Sequence, residues 1–309
     1  MNQQRNFSII EAPSILGFKP SGIELLPTAL RAAGFHDRLD ARYEGLVVPP
    51  PFNPQRDLAT QILNLYEIET YSRSLSEFVE SVVQSHRFPI VLGGDCSILI
   101  GNLLGLRRLG RYGLFFLDGH ADFYQPEAAK DVAEVSSMEL AIVTGYGQER
   151  LANIDNLKPF VREEDVILFA YRDIETARQD GSQDIRNVSN ISAHDLTSLR
   201  QFGVKQSAER LLDQLLNNPI DGFWIHLDAD VLCDDIMPAV DFREPDGLSF
   251  AELIEVLQVL LACPKAVGIN ITIFNPKLDP TGEIAKAFTQ CLLAGLQPIE
   301  HSDNSAIPA

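Results

Sequence analysis

Cysteine is scarce in this chain of 309 residues. Cys96, Cys233, Cys263 and Cys291 stand far apart with no CxxC spacing, which excludes a disulfide framework and leaves reduced thiols as the expectation. Long apolar runs are missing as well: no charge-free segment approaches the roughly 20 residues that would cross a bilayer. The first residues, Met-Asn-Gln-Gln-Arg-Asn-Phe-Ser-Ile-Ile, lack the apolar stretch and small-residue cleavage site of a secretion signal, so a cytoplasmic location is expected. Positive charge is in short supply too. With 25 basic against 43 acidic residues the formal net charge is −18, a field that repels phosphate backbones and argues against a nucleic-acid partner. No internal repeat and no linker composition divides the chain.

What the chain does have is alternation of strand-like and helix-like segments from end to end. Strands are predicted at Phe7 to Ile10, Leu46 to Val48, Pro89 to Leu92, Leu114 to Leu117, Val166 to Ala170, Val188 to Ile191, Gly222 to Leu227 and Ala266 to Ile273. Helical spacing falls between them: Ile23 to Ala33, a long stretch Asp57 to Gln84, Ile98 to Leu109, Met138 to Val143, Ser207 to Leu216, Ser249 to Leu260 and Ile284 to Ala294. Phe123 to Val135 reads as a loop. Apolar strands separated by helices predict an α/β fold, a three-layer αβα sandwich around a mostly parallel central sheet. One domain over residues 1–300 is expected, with 301–309 a polar, disordered tail.

The chemistry gathers at strand ends. Leu114 to Leu117 leads into Asp118, His120 and Asp122, and residues two apart on an extended chain point the same way. An Asp-x-His-x-Asp string alone is common in polar turns. A second string repeats the pattern, however, because Phe223 to Leu227 ends in Asp228-Ala-Asp230. A third strand, Phe88 to Leu92, leads into Gly93-Gly-Asp-Cys-Ser97. Open α/β sheets build their sites at the C-terminal ends of strands, so these side chains are expected to converge on divalent metal. In a regular strand His226 lines the same side as Asp228, as a supporting partner. Asp95 reads as a turn former and His194 as a polar loop residue.

Gly93-Gly-Asp-Cys-Ser97, Asp118-Gly-His-Ala-Asp122 and His226-Leu-Asp-Ala-Asp230, in that order, resemble the arginase/agmatinase (ureohydrolase) family. Gly22-Ile-Glu-Leu-Leu-Pro27, Tyr171-Arg-Asp173 and Asn275-Pro276 add to the resemblance, which covers nearly the whole chain. It implies an arginase-like fold and a binuclear site, usually manganese, whose hydroxide attacks a guanidinium or amidine carbon. Carried over by position, Cys96, Asp118, Asp122 and Asp228 would hold one ion and Asp118, His120, Asp228 and Asp230 the other. The implied partner is a small guanidino, amidino or amide substrate, and by analogy the chain forms a trimer or hexamer.

Three positions depart from that pattern. Cys96 stands where the family usually has a metal-ligand histidine. A thiolate there is a soft, charged donor, which tilts preference from Mn²⁺ toward Zn²⁺, Fe²⁺, Co²⁺ or Ni²⁺; the alternative is a small buried thiol that merely fits the turn. Ile273 replaces the acid that holds a guanidinium, and an apolar side chain cannot pair with a delocalised cation. No histidine falls between Gln125 and Gly147, where a proton-shuttling one often lies. Ser136, Ser137 and Glu139 are the polar groups on offer, so Asp122 and Glu139 become the candidate catalytic acids, with Ser136 a substrate contact. Glu175 sits where arginases use an acid for a substrate amino group. The expected activity is therefore metal-dependent hydrolysis of linear C–N bonds; the alternative is a non-catalytic descendant holding one ion for structure or ligand sensing.

Overall fold

A computed structural model of the chain describes residues 5–124 and 134–297. The expected tail at 301–309, and most of the loop expected from Phe123 to Val135, lie outside the described residues. The strands are β1 (Phe7–Ala12), β2 (Arg42–Leu46), β3 (Phe88–Gly93), β4 (Tyr112–Leu117), β5 (Val166–Tyr171), β6 (Ser192–Asp195), β7 (Gly222–Asp228) and β8 (Ala266–Thr272). They form one eight-stranded sheet in the order β2-β1-β3-β8-β7-β4-β5-β6, and every pairing is parallel.

The inner strands are buried along nearly their whole length and mostly apolar, because both of their faces are covered. Phe115 and Leu117 of β4 pack on one side of the sheet, Leu114 and Phe116 on the other. The first side is roofed by α1 (Leu26–Ala32), α2 (Phe35–Leu39), α9 (Leu196–Phe202), α10 (Val204–Leu216), α11 (Phe250–Ala262) and α12 (Glu283–Leu296). The second is covered by α3 (Leu65–Gln84), α4 (Ile98–Leu109), α5 (Glu139–Val143) and α6 (Glu149–Ala152). Short helices α7 (Ile174–Gln179) and α8 (Ile185–Val188) follow β5. In α3 the buried positions Leu65, Ile68, Tyr71, Ser72, Leu75, Ser76, Val79 and Val82 recur every three or four residues, the stripe of an amphipathic helix. A Cβ on Gly105 of α4 would meet the Ser76 carbonyl oxygen at 2.7 Å, so only glycine lets the two helices pack this closely.

The structure moves three expected boundaries. The second strand precedes the proline-rich segment and occupies Arg42–Leu46 instead of Leu46 to Val48. Helix α3 starts at Leu65, because Asp57 accepts the Ala59 and Thr60 amides in a turn and Asn64 takes a left-handed φ of 51°. Residues 185–188 are helical, and the strand expected at Val188 to Ile191 falls at Ser192–Asp195. Both misplaced strands are sheet edges, where one neighbour and partial burial leave no apolar run to read. His194 thereby belongs to edge strand β6, half-buried, with its Nε2 2.9 Å from Ser192 Oγ.

Candidate metal centre

β3, β8, β7 and β4 are consecutive neighbours, so the segments leaving their C-terminal ends open on one rim. Asp228 pairs with Thr272, and Leu117 pairs with Leu227, which sets Asp118 and Asp228 beside each other one step further on. The two acidic strings use the same turn. Asp118 Oδ1 accepts the His120 amide at 2.7 Å, and Asp228 Oδ1 accepts the Asp230 amide at 2.8 Å. Each acid thus satisfies one oxygen locally and turns the other toward the centre. The strings are also joined to each other, since the Gly119 amide donates to Asp230 Oδ1 at 3.1 Å. Arg172 braces the rim from β5, with its amide donating to the Gly119 carbonyl and its guanidinium to the Asp230 carbonyl at 2.7 Å.

Cys96 arrives from the turn after β3. Its Sγ lies 2.8 Å from Asp228 Oδ2 and 3.1 Å from Thr272 Oγ1. That turn is fixed from below: Asp95 accepts hydrogen bonds from Ser14 Oγ at 3.0 Å, the Gly17 amide at 3.2 Å and the Ser97 amide at 2.9 Å. A Cβ on Gly94 would stand 1.9 Å from the Ser14 carbonyl oxygen, so the strand end and the loop after β1 are in backbone contact.

Two groups of ligand-type atoms result, one of Cys96, Asp118, Glu139 and His226, the other of Asp118, His120 and Asp230, with Asp118 common to both. His120 Nδ1 lies 3.1 Å from Asp230 Oδ2 and 3.7 Å from Asp118 Oδ1. Asp122 is buried, with a left-handed φ of 43°. Burial, then the carboxylates of Glu139 and Asp118, push its carboxyl well above the usual range. Burial and then Asp230 do the same to Asp228, while burial and then Asp228 raise the Cys96 thiol. So many acids in one dry place hold protons unless cations replace them. Among the described residues, Asp118 Oδ2 and both Glu139 oxygens are buried without a hydrogen-bond partner, and carboxylate, imidazole and thiol are donors that divalent transition ions accept. The residues fit a metal centre.

The remaining expected residues are less central. Ser136 is buried against the loop after β1, its amide bonded to the Gly17 carbonyl at 3.0 Å. Glu139 opens α5 and is fully buried beside Asp122. Glu175 on α7 faces solvent, paired with Arg178 at 2.7 Å rather than aimed at the acids. A pocket of about 90 Å³ lies next to the acidic turn, walled by Ala121, Phe123, Tyr124, Tyr171, Asp173 and Ile174. Within it, burial pushes Asp173 up to about 6. Ile273 has a left-handed φ of 70° and packs on the apolar core. Sequence reasoning passed over Asn270 and Trp224. No local signal marks them, because only the register of β7 against β8 brings Asn270 opposite His226.

The model of the Arginase family matches residues 5–295. The arginase of Staphylococcus aureus (strain COL) is 27% identical over 294 residues, covering 93% of this chain and 95% of its own. That of Bacillus subtilis (strain 168) is 27% identical over 296 residues, covering 94% and 98%. The solved arginase of Bacillus caldovelox superposes with a TM-score of 0.83 at 26% identity, covering 95% of this chain and 98% of the other. With this chain matched by the family model almost end to end, and with strand-end acids meeting on one rim of its sheet, the chain belongs to the arginase family.

Proposed function

We propose that this protein is a metal-dependent hydrolase of linear C–N bonds in a small guanidino, amidino or related amide substrate. One observation carries the reading: acids at the ends of β4 and β7, strands distant in sequence, are buried together, with Asp118 Oδ2 left unpartnered among the described residues. Carboxylates massed in a dry site repel by several kcal/mol unless cations stay among them. The proposed ligands are Cys96, Asp118, Asp122 and Asp228 for one ion, and Asp118, His120, Asp228 and Asp230 for the other. Manganese is the family's usual metal; the thiol of Cys96 favours Zn²⁺, Fe²⁺, Co²⁺ or Ni²⁺. Divalent ions there supply Lewis acidity, which makes water a competent nucleophile at neutral pH.

The chain's own side chains do the rest. The turns held by the His120 and Asp230 amides keep Asp118 and Asp228 in place, and the Arg172 guanidinium fixes the carbonyl between them and the next loop. A substrate seated over Ala121 would lie against Tyr124 and Tyr171, with Asp173 able to take or give a proton near pH 6. Ser136 is our candidate for a further substrate contact. Ile273 offers no counter-charge, so a substrate less cationic than a guanidinium suits this site better. That same residue favours the competing reading, a non-catalytic member holding metal for structure or sensing.

Elemental analysis of protein purified without added metal, followed by urea and ammonia release from a panel of guanidines, amidines and amides, tests the proposal. We expect one to two transition ions per chain and turnover of at least one panel member. Asp230→Ala should lower turnover, and the affinity for the ion it helps to hold, by about a hundredfold. Full metal content with no release from any substrate would hand the case to the non-catalytic reading.

A further inference from the structure

The group around Cys96 contains one acid more than the proposed ligand sets use. Glu139 is fully buried, and among the described residues neither of its carboxylate oxygens has a hydrogen-bond partner. The ligand atoms of Cys96, Asp118, Glu139 and His226 all lie within 4.8 Å of one another, and Asp118 Oδ2 and His226 Nε2 are also unpartnered. A buried carboxylate without a donor is unfavourable, and so many unpaired atoms facing one point require an occupant.

His226 can be set aside as a ligand by following its hydrogen bonds. The indole N–H of Trp224 can only donate, so the Asn270 atom 2.7 Å away is the amide oxygen. The amide nitrogen of Asn270 therefore faces His226 Nδ1 at 2.8 Å, and Nδ1 must accept. A neutral imidazole then carries its proton on Nε2, which lies 3.6 Å from Asp118 Oδ2, beyond hydrogen-bond reach. The ring is held in place by stacking on Phe116, with centroids 4.3 Å apart. On Nε2, His226 thus carries an N–H and no lone pair for a metal. Cys96, Asp118 and Glu139 remain.

We propose that Glu139 is itself a metal ligand, completing with Cys96 and Asp118 a thiolate and carboxylate donor set for the ion on the Cys96 side. The inference rests on the two-ion reading of the site. It replaces the role of proton shuttle expected for Glu139. A competing arrangement is a proton shared between Glu139 and Asp122, and glutamine separates the two, because an amide keeps that hydrogen bond but loses the anionic donor.

The test titrates the full chain with Co²⁺, following bound equivalents and the thiolate-to-cobalt charge-transfer absorption. Wild type should take up two equivalents, one of them giving the absorption. In Glu139→Gln the affinity of that equivalent should fall at least about a hundredfold while the other is kept. Both equivalents retained at wild-type affinity would overturn the inference and leave the two-ion reading standing. No uptake by wild type would overturn both. Because a buried substitution can impair folding, a crystal structure of Co²⁺-loaded wild type gives an independent answer: a Glu139 oxygen about 2.0–2.2 Å from the ion supports ligation, and one beyond about 3 Å ends it.

Discussion

Asn270 decides which nitrogen of His226 carries a proton, although it stands in none of the acidic strings that draw attention first. Its amide satisfies two buried groups at once, the Trp224 N–H at 2.7 Å and His226 Nδ1 at 2.8 Å. Asn270→Leu keeps the approximate volume and strands both partners in the core. We expect a loss of about 2–4 kcal/mol in urea unfolding. A change below about 0.5 kcal/mol would show that the Trp224 and His226 contacts are dispensable. The ligand-type residues were legible in sequence because apolar runs ending in acids announce themselves. Glu139 was visible too, yet its role was not, since nothing local says that a carboxylate at the start of a short helix is buried beside Cys96 and Asp118.

At the scale of elements, Glu11 links β1 to its covering helices and its edge neighbour. Its carboxylate receives Arg31 Nη2 at 2.6 Å and Tyr43 Oη at 3.2 Å, and lies 3.3 Å from His36 Nε2. Burial opposes its ionisation, but the nearby His36 ring and the hydrogen bonds from Arg31 and Tyr43 outweigh burial and hold it down from 4.5 to about 2. A depressed folded-state value stabilises the fold above the unfolded value and ceases to do so as pH falls through the folded one. Glu11→Gln should therefore lower stability by about 1–3 kcal/mol at neutral pH, measured by denaturant unfolding. The gap to wild type should narrow as pH drops from 4.5 toward about 2. A gap unchanged across that window would mean that the charge of Glu11 is irrelevant. Central strands such as β4 and β7 were readable because burial on both faces leaves unbroken apolar runs. Edge strands β2 and β6 were displaced from expectation because their half-exposed residues carry no such mark.

For the whole molecule, the net charge of −18 and the massed acids on one rim make folding and cation binding a linked equilibrium. At a hundredfold excess of ion over its dissociation constant, one site adds about 2.7 kcal/mol to the folded state. For a chain of this size that corresponds to about 4 °C in melting temperature. Differential scanning calorimetry before and after chelator dialysis should show a drop of at least that size, restored by readdition of the metal. An unchanged melting temperature would mean that the acids are accommodated without ions. The sequence alone determined the alternation of strands and helices, the parallel sheet and the chemical types at strand ends, because these follow from local apolar patterning. Only the tertiary structure decided that Glu139 joins Cys96 and Asp118, that Glu175 faces away, and that Asn270 governs His226, because sheet register and helix packing bring together residues that no spacing in the chain connects.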